Sequence, residues 1–249
     1  MLPVFCLRLA GGMVGALLLL SPAQINPRFY RTHFLTALGL AIVAAVFLRE
    51  SADLWLWAGL GGSILFSFLG SLSWSLERAP GGRALIVLAT VALTATLLRL
   101  PFALSPEDAT AWSVANELTS AAVLGAAFTA MLMGHSYLLA PAMALTPLLC
   151  LIGLLFVSIA VRAGIGGASL WLFWTAEHSL TNVMEVLLWL PVRWGLGLLL
   201  PFVLGVMAWK TARIRSTQSA TGILYVVVIF CFLGELLSQL LCRLTGYFL

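Results

Sequence analysis

Charge is what this 249-residue chain has least of. Asp, Glu, Lys and Arg make up 9% of it, where soluble domains carry about 25%, so there is too little polar surface to keep a globular fold wet. Lysine is nearly absent: Lys210 stands alone and the other twelve basic residues are arginines. There are three histidines, too few for two bis-histidine haems. The four cysteines, Cys6, Cys150, Cys231 and Cys242, form no C-x-x-C pair. That excludes the usual zinc and iron–sulfur spacings and leaves them as small apolar packing residues. No phosphate-cradling glycine loop, H-E-x-x-H or G-x-S-x-G is present, and Gly164-Ile165-Gly166-Gly167 reads as a flexible connection. Nothing supports a self-contained hydrolase or a metal centre. No repeat, low-complexity tail or soluble domain interrupts the chain.

What is present is apolar: 62% of residues are hydrophobic and the mean hydropathy is +1.08. The pI of 9.2 does not indicate a nucleic-acid partner, because the basic residues lie in short loops between apolar runs, as membrane topology requires. The expectation is an all-α, polytopic membrane helix bundle over residues 1–249, a single integral domain in contact with lipid. Runs long enough to cross a bilayer fall at about Leu2–Ser21, Phe34–Leu48, Leu54–Ser75, Ala84–Leu100, Trp112–Gly134, Ala142–Val161, Val192–Trp209 and Thr221–Gly246. Arg8 interrupts the first run and no small-residue cleavage site follows, so it reads as a retained helix rather than a signal peptide.

The stretch Ser169–Leu190 is ambiguous. Its polar residues Glu177, His178, Thr181, Asn182 and Glu185 recur at helical spacing opposite Trp171, Leu172 and Leu187. This predicts an amphipathic helix lying in the interface, or re-entrant there, over about 168–190. With eight spans and this extra helix, Arg28, Arg31, Arg78, Arg83, Lys210, Arg213 and Arg215 share one side. By the positive-inside rule that side is cytoplasmic, with both termini outside a bacterial inner membrane.

Glu235 lies well inside the last run, where an ionisable residue costs about 2.5–3.5 kcal/mol on insertion scales and normally faces protein or a wet cavity. Gln239 and Arg243 follow it at i+4 and i+8, and Cys231 precedes it by one turn, so the stripe occupies one helix face. Glu235, Glu117, Glu50, Arg8, His178 and Glu185 all fall in the outer half of this topology. Protonatable groups gathered at one depth are what quinone chemistry needs. Glu235 is the first candidate for proton exchange, with Gln239, Glu117 and Glu50 beside it and Arg8 as electrostatic partner. On this view Glu235→Gln lowers quinol turnover and leaves assembly intact. The same groups equally describe a structural ion pair. His33 and His135, at the inner ends of their helices, are candidate ligands for a haem b and equally suit interfacial positions of a membrane belt. His178 and Glu185, seven apart on one face, suit a partner's docking surface or a solvated helix face.

The segments Leu233-Gly234-Glu235-Leu236-Leu237-Ser238-Gln239 and Phe128-Thr129-Ala130-Met131-Leu132-Met133-Gly134, with Arg99 and Trp112 upstream, resemble the membrane-anchor subunit of dimethyl sulfoxide reductase and the wider NrfD and polysulfide-reductase type. The likeness covers about a third of the chain. It implies a quinol-interacting anchor (menaquinone or ubiquinone), with an iron–sulfur subunit and a catalytic subunit as partners. The chain departs from that pattern after its second run: the family carries a histidine there, whereas Leu48–Trp57 offers Arg49, Glu50 and Asp53. An assembly subunit without quinone chemistry, a haem b-binding subunit and a small transporter remain alternatives.

Overall fold

A computed structural model describes residues 1–51, 53–76, 81–104, 110–140, 143–175 and 183–249, with 183–185 described by backbone alone. The described residues form α-helices with no strand: α1 (Leu2–Ala16, continued by a 3-10 turn Leu17–Leu19), α2 (Pro27–Phe47), α3 (Leu54–Ser73), α4 (Gly82–Leu104), α5 (Ala111–Leu139), α6 (Thr146–Thr175), α7 (Val183–Trp194), α8 (Leu200–Arg213) and α9 (Thr217–Thr245). A π turn, Gly195–Leu199, joins α7 to α8 without ending the helix. Eight of the resulting helices are long and apolar enough to cross a membrane, and the chain is a multi-pass membrane protein. Large apolar side chains stand exposed around the bundle, among them Leu54 at 78%, Leu139 at 80% and Ile214 at 77%. Water would oppose that arrangement and lipid does not.

The helix ends are fixed by local chemistry. Asn26 accepts a hydrogen bond from the Arg28 N–H at the start of α2, behind Pro27. Asp53 accepts from the Trp55 and Leu56 N–H groups at the start of α3, and Thr110 and Ser113 form a reciprocal cap on α5. These side chains satisfy N–H groups that a first turn leaves open. Within the spans, hydroxyls bond back to their own helix, as from Thr90 to the Ile86 carbonyl and Thr96 to the Ala92 carbonyl, which satisfies these donors without water.

The interfacial helix expected over 168–190 is not a separate element among the described residues. Residues 169–175 continue α6 and residues 183–190 open the span that runs on through α8. Residues 176–182 of that stretch lie outside the described residues. Continuing α6 through its glycines adds one backbone bond per residue, where a break would strand carbonyls and amides within the hydrocarbon core. Gly164–Gly167 therefore lie inside α6, and the ring of Trp194 packs over Gly166 and Gly167. At 30 residues α6 is about 45 Å long, well beyond the roughly 30 Å hydrocarbon core. Extra length of that kind projects from the membrane or tilts.

Two close helix crossings organise the interior. A Cβ built on Gly12 would lie 1.8 Å from the Ala121 carbonyl oxygen, and one on Gly125 would lie 1.9 Å from the Gly12 carbonyl carbon. Backbones of α1 and α5 thus touch, which only glycine permits. The second crossing sets Gly197, inside the π turn, against Gly234 of α9, with 2.5 Å from an added Cβ to the opposing Cα. At the opposite end of the bundle Phe34 fills the space over Gly70, and Tyr30 stacks on Trp74 at 4.3 Å.

Candidate functional site: a buried arginine–glutamate network beside a polar cavity

Each glycine crossing brings a charged pair together one turn away. On α1, Arg8 precedes Gly12 by four residues; on α5, Glu117 precedes Ala121 by four. The helices run the same way, so the contact at Gly12 sets Arg8 beside Glu117. Arg8 Nε donates to Glu117 Oε2 at 2.7 Å and Nη2 donates to Oε1, a two-pronged pair, while Nη1 donates to Ser120 Oγ at 3.2 Å. Across the second crossing, Arg193 lies one turn before Gly197 and Glu235 follows Gly234. Arg193 Nη2 donates to Glu235 Oε1 at 3.1 Å.

Arg162 of α6 completes the assembly. Its Nε and Nη2 donate to the two oxygens of Glu235, each at 3.1 Å. Its Nη1 donates to Asn116 Oδ1 at 2.5 Å and Nη2 also reaches Ser238 Oγ at 2.9 Å. Ser120 Oγ donates to Glu235 Oε2 at 2.5 Å, so the Arg8–Glu117 pair and the Arg162–Glu235–Arg193 triad form one connected network. In the amide orientation that satisfies both of its polar atoms, Gln239 accepts from Arg8 Nη1 at 3.3 Å and donates to the Met1 carbonyl at 3.1 Å. Arg162 and Glu235 are each 1% exposed. Counted from the ends of their helices at 1.5 Å per residue, these groups lie about 9–20 Å down the bundle. Carboxylates and guanidiniums at that depth persist only when paired and hydrogen-bonded.

Above the network, at the end where α1 begins and α9 finishes, lies a cavity of about 400 Å³. Its polar wall is Arg8, Asn116, Glu117, Ser238, Gln239 and Arg243, and Val4, Leu104 and Phe248 supply apolar lining. The volume is within the range of about 300–1,000 Å³ typical of small-molecule sites. Phe248 reaches it because the chain turns back at Gly246, whose φ of 76° is a left-handed conformation suited to glycine.

The structure sorts the expected site residues. Cys231, Glu235 and Gln239 face inward as a stripe, whereas Arg243 is exposed. Arg8 pairs directly with Glu117; its link to Glu235 runs through Ser120. Glu235, the first candidate for proton exchange, is held by two arginines and is absent from the cavity lining, whereas Glu117, its oxygens held by Arg8 alone, lines it. Glu50 lies apart, exposed on an open groove of about 720 Å³ shared with Asp53, Trp55 and Arg99. There Arg99 Nε donates to Asp53 Oδ2 at 2.8 Å. Partial burial pushes the Asp53 carboxyl up, but the Leu56 N–H, the Arg99 guanidinium and the Trp55 N–H together hold it below its ordinary value.

His33 is buried against Phe29, its Nδ1 within 2.9 Å of the Phe29 carbonyl and its Nε2 without a partner. His135 is exposed, 3.5 Å from the Tyr225 hydroxyl. The two imidazoles expected as a haem pair therefore occupy different surroundings, one in the core and one on the surface. His178 lies outside the described residues, and of Glu185 only its place on α7 is described. Among the described residues no three His, Cys, Asp or Glu side chains converge.

Arg162 and Arg193 are the residues that sequence reasoning missed. In the sequence each resembles a link residue rather than a buried one, because glycines follow Arg162 and Pro191 precedes Arg193. A signal was available for Arg162, which stands between apolar runs with its nearest acid far off in sequence, so that burial requires a partner from another helix. Compared with models of protein families, with curated proteins and with solved structures, the chain matches none of them.

Proposed function

We propose that this chain is the integral membrane subunit of a bacterial oxidoreductase, exchanging electrons between the quinone pool and a partner iron–sulfur or haem subunit. The observation that carries the reading is the cavity bounded by Arg8, Asn116, Glu117, Ser238 and Gln239. A quinone ring has two opposed oxygens that accept hydrogen bonds when oxidised and donate them when reduced. The cavity wall offers donors in the Arg8 guanidinium and the Gln239 amide, and an acceptor in the Glu117 carboxylate. Oxidation of one quinol would release two electrons, to be passed singly to the partner's centre, and two protons, one to be taken by the Glu117 carboxylate and the other directly by water at the outer end of the cavity. Reduction runs the same balance in reverse. Menaquinone and ubiquinone both satisfy it.

The basic residues Arg28, Arg31, Arg83, Lys210, Arg213 and Arg215 belong to the opposite end of the bundle. Under the positive-inside rule this supports an inner-membrane orientation with the cavity and both termini outside. The iron–sulfur and catalytic partners then dock on the outer end, where α6 runs long. The likeness of Leu233–Gln239 and Phe128–Gly134 to quinol-interacting anchors points the same way.

The test is purification of the tagged chain from its native membrane in mild detergent, with mass spectrometry of proteins and extracted lipid. Recovery of an iron–sulfur protein, a catalytic subunit and quinone is expected. Recovery of the chain alone, or with non-redox membrane proteins and no quinone, overturns the reading. It would favour a structural or assembly subunit, a role for which the Arg162–Glu235–Arg193 clasp, which needs no ligand, is the specific support.

A further inference from the structure

Most polar groups in the wall of the polar cavity are already engaged by the protein. Arg8 gives Nε and Nη2 to Glu117 and Nη1 to Ser120 and Gln239. Gln239 gives an amide N–H to the Met1 carbonyl, and the Ser238 hydroxyl donates to the Leu249 carbonyl at 2.8 Å. Asn116 of α5 differs. Its Oδ1 accepts from Arg162 Nη1, and its amide nitrogen has no partner among the described residues. Arg8 and Gln239 thus keep one N–H each, whereas Asn116 keeps both. The orientation of that amide is fixed by chemistry. A guanidinium presents only N–H donors, so Asn116 turns its oxygen to Arg162 and its nitrogen away. The residue is buried in the protein and forms part of the cavity wall.

We propose that Asn116 is the specificity-determining residue of the cavity, its amide nitrogen donating a hydrogen bond to a carbonyl oxygen of the quinone ring. The inference rests on the quinone reading above and adds the group that distinguishes the oxidised ring from the reduced one. A buried donor without a partner selects a ligand that brings an acceptor, because a ligand lacking one leaves the N–H groups unpaired. A carboxylate in the same place accepts and does not donate, so it rejects a carbonyl and takes a hydroxyl. Asn116→Asp makes that exchange and little else. One aspartate oxygen stands in for Oδ1 against Arg162, and the other stands where the amide nitrogen was. The added charge is one the network can take. It holds three guanidiniums, of Arg8, Arg162 and Arg193, against the two carboxylates of Glu117 and Glu235, and Arg193 Nε and Nη1 are without partners.

The experiment titrates a decyl-tailed benzoquinone and, without oxygen, its quinol against the purified chain, or the complex in which it is isolated, and against Asn116→Asp. The ratio of quinone affinity to quinol affinity is expected to fall by about tenfold or more in the variant. Both ligands are measured on one sample, so a misfolded fraction leaves the ratio unchanged. An unaltered ratio overturns the role of Asn116 and leaves the ring site standing. Failure of the unaltered protein to bind either form overturns the ring site and this role together. A second measurement keeps Asn116 itself. The other two asparagines, Asn26 and Asn182, are replaced as Asn26→Ser, which preserves the helix cap, and Asn182→Gln. The protein then carries a heavy-nitrogen label at its one asparagine side chain, and the benzoquinone a heavy-carbon label at its carbonyls. Solid-state magnetic resonance is expected to show a dipolar coupling between the two labels, at the separation of about 4 Å that a hydrogen bond sets. Bound quinone without that coupling overturns the proposal.

Discussion

Glu235 and Glu117 show how alike residues take different work from their surroundings. Glu235 is bracketed by Arg162 and Arg193 and is covered on its remaining side by Ser120. Removing its charge leaves two guanidiniums buried without a counter-ion, so Glu235→Ala is expected to cost about 3–5 kcal/mol and to lower the detergent-solubilised Tm sharply. The milder Glu235→Gln also unbalances the cluster and is expected to lower the Tm, contrary to the outcome that its position in the sequence suggests. Glu117 stands at the cavity wall with one arginine. Glu117→Gln is expected to lower quinol turnover by about a hundredfold or more, the scale of a lost acid–base group, with a smaller change in Tm than Glu235→Ala. Asp53 gives a pH signature. Its carboxyl titrates below its ordinary value in the folded chain, so its contribution is complete above about pH 4 and is lost as pH falls through the depressed value. Melting curves across acid pH are expected to show a limb that Asp53→Asn flattens.

Among the elements, the two glycine crossings do more than let helices approach. Each sets the register that brings one arginine to one carboxylate, at Gly12 for Arg8–Glu117 and at Gly197 for Arg193–Glu235. Gly12→Leu has no space at the Ala121 carbonyl and is expected to cost at least about 1–3 kcal/mol by overpacking, with loss of quinone binding as Arg8 moves away. Gly164, inside α6 with open space around its α-carbon, makes the contrasting case. Gly164→Ala is expected to raise stability by about 0.5–1 kcal/mol through helix propensity alone, read as a rise in Tm. The π turn at Gly195–Leu199 belongs with the second crossing. It inserts one extra residue in a turn, at the point where Gly197 meets Gly234, and such turns recur at functional sites.

For the whole molecule, eight apolar helices put the start of α1 and the end of α9 at one end of the bundle, together with the network and its cavity. Cysteine substitutions test which side that end faces. In a background with the native cysteines replaced, Glu50→Cys is expected to react with an impermeant maleimide in intact cells, and Arg215→Cys only after the membrane is opened; the reverse pattern places the cavity inside. The span count and the inward stripe through Cys231, Glu235 and Gln239 were legible in the order of residues, whereas of the charges expected together Arg8, Glu117 and Glu235 meet and Glu50 stands apart. The count and the stripe follow from hydropathy over about 20 residues and from the 3.6-residue helical repeat, both of which are local. The partners of Glu235 were not legible. Arg162 and Arg193 are separated from it by 73 and 42 positions, and each stands beside glycine or proline that imitates a helix end. Whether a helix continues past such residues depends on what packs against them, here Trp194 over Gly166 and Gly167. The sequence by itself determined that the chain lives in a membrane and that its few buried charges must meet. Only the tertiary structure decided which charges meet, because backbone contact at Gly12 and Gly197 sets helix register to within a single turn and no local pattern encodes that distance.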